Sequence, residues 1–166
     1  IRHVDNNTLE NWSGGTGTMT GMSSGQTSVT STISNNIIRN FTSQGSMTGI
    51  NFGNVLANNS GNPFVISGNT IENLISTAST TGSVYGISSN CQAPSVNYNG
   101  NIIRSLSCNA VSLNGVTTAG INLLHSVNAN IFKNTICDIS NGSSSNTNGV
   151  QGINIITAGA TYSVYN

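Results

Sequence analysis

Apolar and polar residues follow one another along this chain in a phrase that recurs about every 32 residues. Each copy has a large apolar residue, two spacers and an Asn, then an aliphatic residue two positions later and an apolar residue three positions beyond that. The copies occupy residues 4–12, 33–41, 66–74, 98–106 and 131–139. A repeat of this length indicates a stack of small structural units rather than one globular core.

A second phrase, built around Gly, follows in each repeat. Its clearer copies are residues 17–22, 45–50 and 82–87, and its looser ones are residues 116–121 and 148–153. These segments are short, rich in β-branched residues and interrupted by Gly and Asn, which disfavours helix. A third apolar patch, with Phe64 and Val96 as examples, precedes the next Asn phrase. We therefore predict an all-β fold, a parallel β-helix of about five rungs with three short strands each.

Stacking the rungs turns equivalent positions into columns. The leading asparagines should form an amide ladder at a bend, because Asn tolerates the left-handed backbone region. These residues are Asn7, Asn36, Asn69, Asn101 and Asn134. A second polar row should mark the far end of the same strand, and it comprises Asn11, Asn40, Asn73, Ser105 and Asp138.

Two apolar columns should point into the core beside these polar rows. The first comprises Leu9, Ile38, Ile71, Ile103 and Ile136. The second comprises Trp12, Phe41, Leu74, Leu106 and Ile139.

We treat residues 1–166 as a single β-helix segment. Its repeats run approximately over residues 4–32, 33–65, 66–97, 98–130 and 131–163, and a sixth begins at residues 164–166. The first residue is not Met and the last copy is cut short, so we expect a fragment of a longer protein.

Charge is scarce in this chain. Only 5% of the residues are charged and the formal net charge is zero, so the surface lacks the positive field that binds phosphates. We therefore expect no nucleic-acid partner. No stretch approaches the roughly 20 apolar residues that span a bilayer, and we expect no membrane insertion.

The few charged residues coincide at one repeat position, three residues after the leading Asn. Down the stack this position reads Glu10, Arg39, Glu72, Arg104 and then Cys137. Opposite charges in register stabilise neighbouring strands, whereas like charges repel. We interpret the column as a structural salt ladder in which each Glu lies between Arg neighbours. A catalytic pair of Glu and Arg is the alternative, and we predict no catalytic residue.

Metal-binding patterns are missing as well. Asp5 and Asp138 stand in different rungs without a second carboxylate, which argues against calcium. Cys91, Cys108 and Cys137 have no CxxC spacing, which argues against zinc. We predict no metal and no cofactor, and the cysteines are either three free thiols or one disulfide and a free thiol.

The connection between the Asn phrase and the Gly phrase varies in length. Its longest versions run from Ser107 to Ala119 and from Ser140 to Gln151. Loops gathered on one side of a solenoid often form its binding side. We take these loops, with Tyr85 as an exposed aromatic residue, as the candidate contact surface, and solvated spacers as the alternative.

Residues 66–73, with the sequence ISGNTIEN, and the later Tyr85, Gly86 and Ile87 resemble the repeats of right-handed parallel β-helix proteins of the pectin lyase-like superfamily. The Ser- and Asn-rich style is similar to that of β-helical regions in large secreted or surface proteins of Bacteroidota, which often leave the cell by type IX secretion. The resemblance implies that the predicted all-β fold is a right-handed parallel β-helix, and it implies an extracellular or cell-surface location.

From these observations we predict a non-enzymatic structural or adhesive segment of a large secreted or surface protein. Its expected partners are glycans, other cell-surface proteins or proteins of the secretion machinery. Two alternatives stay open. One is a polysaccharide lyase or hydrolase whose catalytic rungs lie outside these residues, and the other is a glycan-binding module without catalysis.

Overall fold

The chain coils into a parallel β-solenoid, in a computed structural model that describes residues 2–25, 31–55, 63–79, 81–91, 95–110, 116–124, 128–142, 149–156 and 161–165. Each rung contributes one short strand to each of three sheets, and every strand pairs in parallel with its equivalent in the next rung. This confirms the predicted parallel β-helix with three strands per rung. Its right-handed coil stays a prediction, which the handedness of parallel crossovers favours.

The first sheet contains β1 (Arg2–Asp5), β4 (Ser31–Ser34), β7 (Phe64–Ser67), β10 (Ser95–Asn99), β13 (Asn128–Phe132) and β16 (Tyr162–Tyr165), in that spatial order. The second contains β2 (Thr8–Ser13), β5 (Ile37–Ser43), β8 (Thr70–Ser76), β11 (Ile102–Cys108) and β14 (Thr135–Asn141). The third contains β3 (Met19–Ser24), β6 (Met47–Val55), β9 (Val84–Cys91), β12 (Thr118–Leu123) and β15 (Val150–Ile155).

The core is a narrow apolar column between the three sheets. Ile38, Ile71 and Ile103 are in register and have no exposed surface. The second apolar column behaves likewise in its middle, where Phe41, Leu74 and Leu106 are buried.

Trp12 departs from the expectation of a buried position, because 48% of its surface is exposed. It belongs to β2, the edge strand of the second sheet, so it has a neighbour on one side only. Its ring stacks on Phe41, with 5.2 Å between the ring centroids and an angle of 1° between the planes. The stack covers one face of the indole and leaves the other face open.

Each rung turns at two corners, and the corner residue has a left-handed backbone. The first corner lies just before the second strand of the rung, and the second corner lies inside that strand. The φ values of the corner residues lie between 53° and 63°. The first corner is formed by Asn6, Asn35, Gly68, Gly100 and Lys133, and the second by Asn11, Asn40, Asn73, Ser105 and Asp138. The second corner explains how Leu9 and Trp12, three residues apart, belong to two inward columns, because the bend between them reverses the alternation of a strand.

The leading Asn is not the residue that turns the chain, contrary to the prediction. The left-handed residue is the one before the leading Asn, as in Asn35 before Asn36, and the leading Asn itself is not among the left-handed residues. The second polar row does not mark a strand end either, since Asn11 lies inside β2. Both corners favour Asn or Gly, because these residues adopt positive φ most readily.

Candidate functional site

The leading asparagines form a continuous amide ladder, which confirms the prediction. In each step, the Oδ1 atom of one Asn accepts a hydrogen bond from the Nδ2 of the preceding Asn, at 2.8 to 3.0 Å. The same Oδ1 accepts the backbone N–H of that preceding Asn, at 2.9 to 3.1 Å. The ladder thus satisfies polar groups inside the solenoid, where Asn36, Asn69 and Asn101 are fully buried.

A third hydrogen bond locks each ladder amide to the backbone. The Nδ2 atoms of Asn36, Asn69 and Asn101 donate to the carbonyls of Val4, Ile33 and Ile66, at 2.7, 2.9 and 2.9 Å. These carbonyls belong to the preceding rung, so each amide joins three consecutive rungs. The role of such an amide is structural, because its hydrogen bonds hold adjacent rungs together.

A shorter, exposed ladder runs along the second corner. Asn40 Nδ2 donates to Asn11 Oδ1 at 2.9 Å, and Asn73 Nδ2 donates to Asn40 Oδ1 at 2.8 Å. Further down the stack, Ser105 and Asp138 replace Asn at this position.

The charged column forms two ion pairs between adjacent rungs. The Nε and Nη2 atoms of Arg39 lie 2.7 and 2.6 Å from Glu10 Oε2. Arg104 holds Glu72 Oε2 at the same two distances. Hydrogen bonding and charge from Glu72 raise the pKa of the Arg104 guanidinium.

The charged residues lie in the predicted register, but not every Glu contacts an Arg on both sides as predicted. Arg39 lies beside both Glu10 and Glu72 in the strand register. Among the described residues, however, the ion pairs of the column join Arg39 to Glu10 and Arg104 to Glu72. Each Arg places both donors on a single carboxylate oxygen, so the column consists of two pairs rather than a continuous ladder.

Asp5 also serves a contact between rungs. Its Oδ1 accepts hydrogen bonds from the backbone N–H and the Oγ of Ser34, at 3.0 and 2.5 Å. Asp138 is exposed at a left-handed corner. Within the residues that the structure describes, no three His, Cys, Asp or Glu side chains converge in a way that could hold a metal ion.

A column at the end of the second strand was missed by the sequence reasoning. It comprises Ser43, Ser76, Cys108 and Asn141, which are in register. Ser43 Oγ donates to the Gly15 carbonyl at 2.9 Å, Ser76 Oγ to the Gly45 carbonyl at 2.8 Å, and Cys108 Sγ to the Gly82 carbonyl at 3.3 Å. The signal was a Ser, Cys or Asn seven positions after four of the five leading asparagines, whereas Gly14 takes this position in the first repeat.

None of the three cysteines, all of which the structure describes, forms a disulfide bond. Cys91 and Cys108 are buried, whereas Cys137 is exposed in the charged column next to Arg104. Of the two arrangements left open by the sequence, the structure has three thiols.

The predicted contact edge is described in part. Residues 111–115 and 143–148, the centres of the two long loops, lie outside the described residues. The described flanks of the first loop pack inward, since Ala110, Val116 and Ala119 have no exposed surface. Tyr85 is half-buried rather than exposed, and it lies between Thr48 and Ala119 of the neighbouring rungs.

A polar groove lies on the same edge, where the second strand leads into the third. Its volume is about 350 Å³, and it is lined by Thr16, Gln44, Thr77, Ser79 and Thr81. Hydroxyl and amide groups can exchange hydrogen bonds with a polar ligand, and the described lining residues include no acid or base.

Among the described residues there is no helix of the length and apolarity needed to cross a bilayer. Comparisons of this chain with models of protein families, with curated proteins and with solved structures find no match.

Proposed function

We propose that this chain is a non-enzymatic structural segment, a β-solenoid rod that holds neighbouring parts of a larger protein apart or presents them for adhesion. The proposal rests on one observation, that the polar side chains of the chain make contacts between adjacent rungs. Asp5, Glu10 and Glu72 each bind a residue of the adjacent rung, and the ladder asparagines bind one another and backbone carbonyls of the preceding rung. Three of the four carboxylates of the chain, the groups that acid–base chemistry would need, thus hold adjacent rungs together.

The proposal extends to a large secreted or cell-surface bacterial protein, in the style of the pectin lyase-like solenoids and of type IX secretion substrates of Bacteroidota. Its support is the charge-poor surface rich in Asn, Ser, Thr and Gly, together with the repeat phrase. A rod stabilised by hydrogen bonds between rungs keeps its shape without a partner, which suits an extended surface protein.

Enzymatic assay tests the first part of this proposal. The 166-residue chain is incubated with uronate-containing and neutral polysaccharides, and unsaturated products and new reducing ends are measured. We expect none above the background of a heat-denatured sample. Cleavage that disappears in Glu72→Gln, with an unchanged melting temperature, would overturn the structural role and support catalysis.

Surface labelling tests the second part. Antibodies against the chain should bind intact cells of the source bacterium or its culture medium, and the signal should be lost when type IX secretion is inactivated. Labelling confined to lysed cells would contradict the extracellular location.

A second candidate function is glycan binding in the groove lined by Thr16, Gln44, Thr77, Ser79 and Thr81, which lies on the predicted contact edge. We expect a glycan array to show binding that Thr77→Val reduces. The matched control is Thr42→Val, because Thr42 is exposed and does not line the groove. Equal binding by both variants would remove this candidate.

A further inference from the structure

The outer face of the second sheet carries two alternating columns side by side. One is the charged column. The other lies two residues earlier in each strand and comprises Thr8, Ile37, Thr70, Ile102 and Thr135, which are in register from rung to rung. Ile stands in the strands that carry Arg, and Thr stands in the strands that carry Glu. We call the surface of these two columns on β2, β5, β8 and β11 the alternating face.

The alternating face is open to solvent inside the stack as well as near its ends. Ile102 keeps 41% of its surface exposed, although its strand β11 has β8 on one side and β14 on the other. The side chains of Arg39 and Arg104 are 42% and 52% exposed. Exposed Arg beside exposed aliphatic side chains is typical of surfaces that bind another protein.

The ion pairs on this face do not use all of its charged atoms. Each Arg places its Nε and Nη2 atoms on one carboxylate oxygen, the Oε2 atom of Glu10 or Glu72. The second oxygen of each Glu stays out of these contacts. The rungs repeat at about 4.8 Å, so the face presents a closely spaced row of charges of alternating sign.

A row of four alternating charges complements itself when it is turned end to end. A second copy can lie face to face with the first while its rungs run in the opposite order, which is a twofold arrangement. Strand β2 of one copy then faces β11 of the other, and β5 faces β8. Glu10 meets Arg104 and Arg39 meets Glu72, so every charge faces the opposite sign. With the rungs in the same order, coinciding columns would set each charge against its own sign.

The column of Thr and Ile fits the same arrangement. When β2 faces β11, Thr8 lies opposite Ile102, and when β5 faces β8, Ile37 lies opposite Thr70. A small residue thus meets a large one at every level, which lets the two faces interdigitate. Charge and shape therefore favour one partner in one orientation.

We propose that the alternating face binds the same face of a second copy of this chain, with the rungs in opposite order, so that two solenoids associate side by side. Complementary charges set the orientation. Four rungs cover only about 20 Å of the solenoid axis, so the contact is small and the association is weak and reversible. The pairing does not depend on the proposed function, because it follows from the register of the second sheet.

Sedimentation equilibrium of the 166-residue chain tests the association. In about 20 mM NaCl we expect a monomer–dimer equilibrium below about 1 mM protein, and association at least about fivefold weaker in about 0.5 M NaCl. Ile102→Ser should weaken it to a similar extent. The matched control is Leu124→Ser, because Leu124 is 39% exposed and follows β12 of the third sheet, outside the alternating face. It should associate as the unchanged chain does.

Paired charge reversal tests the orientation. Arg39→Glu alone brings negative charges together at the centre of the contact, and Glu72→Arg alone brings positive charges together. A mixture of these two variants restores opposite charges at every level. We expect the mixture to associate at least about fivefold more tightly than either variant alone.

A second mixture controls for net charge. Arg104→Glu changes the net charge by the same amount as Arg39→Glu, but mixed with Glu72→Arg it leaves like charges facing each other at two of the four levels. This mixture should associate more weakly than the first. Circular dichroism confirms that each variant is folded, and if a charge variant unfolds, the comparison of Ile102→Ser with Leu124→Ser decides.

Three results would overturn the proposal. The first is a chain that stays monomeric up to about 1 mM in low salt. The second is association that neither salt nor Ile102→Ser weakens, which would assign the contact to another surface. The third is equal association by the two mixtures of folded charge variants, which would show that net charge rather than the facing of rungs brings the copies together.

Discussion

The Cγ2 atom of Ile103 lies 2.5 Å from the position that a Cβ atom on Gly86 would take, and the Gly120 carbonyl oxygen lies 2.6 Å from it. The third strand of one rung thus approaches both the second and the third strands of the next rung so closely that only Gly fits. The Gly phrase of the repeat has this physical cause.

We predict that Gly86→Ala destabilises the chain by about 2 kcal/mol or more, because neither the Ile103 side chain in a packed core nor the backbone can move away freely. Urea denaturation measures the change. Gly152→Ala is the matched control and should change stability by less than about 0.5 kcal/mol, since its methyl group enters open space. Equal effects of the two substitutions would contradict the steric explanation.

Asn69→Ala should destabilise the chain by about 2 to 4 kcal/mol. It removes the acceptor of two donors on Asn36 and the donor to the Ile33 carbonyl, all in the interior. Asn7→Ala is the comparison, because Asn7 is exposed and lies in the first rung. It should cost less than about 1 kcal/mol by the same measurement. A small effect at Asn69 would mean that water replaces the amide without loss.

Charge reversal tests the role of the charged column. Glu72→Arg places three Arg residues in consecutive rungs, and it should lower Tm by about 2 to 5 °C at low salt. Most of the loss should be recovered in 1 M NaCl, where the Debye length is about 3 Å. Glu72→Gln, which removes the pair without adding repulsion, should change Tm less. A loss that salt leaves unchanged would point to packing instead of charge.

Alkaline pH should destabilise the chain through Tyr98. Complete burial raises the pKa of its phenol well above the usual value near 10. The Tyr98 contribution is fully present below pH 10. Above it, the unfolded chain loses the proton while the folded chain keeps it, so stability should fall by about 1.4 kcal/mol per pH unit. Urea denaturation between pH 9 and 11.5 measures the slope, and Tyr98→Phe should lower it. An unchanged slope in that variant would contradict the assignment.

The cysteines should differ sharply in reactivity. In the folded chain, iodoacetamide should modify Cys137 first, because Cys91 and Cys108 are buried. Mass spectrometry over time identifies the modified residue, and labelling in urea provides the control in which all three react. Fast modification of Cys108 in the folded chain would show that its column opens to solvent.

Much of the fold could be predicted, because a repeated sequence determines which residues lie next to each other in adjacent rungs. Once Asn69 and Asn101 are recognised as equivalent, parallel stacking places them side by side, and the amide ladder follows. The same reasoning correctly placed Glu10 beside Arg39. The column of Ser43, Ser76 and Cys108 escaped notice, because residues of different chemistry share one role there, which the carbonyls of the preceding rung define.

The sequence by itself determined the repeat, the strands, their facing and the rung-to-rung register, since all of these follow from periodic apolar and Asn positions. Only the tertiary structure decided which residue turns each corner and that Glu72 binds Arg104 rather than Arg39. Lys133 illustrates the reason. It takes a left-handed backbone that its residue type does not favour, because stacking on the neighbouring rung holds it there.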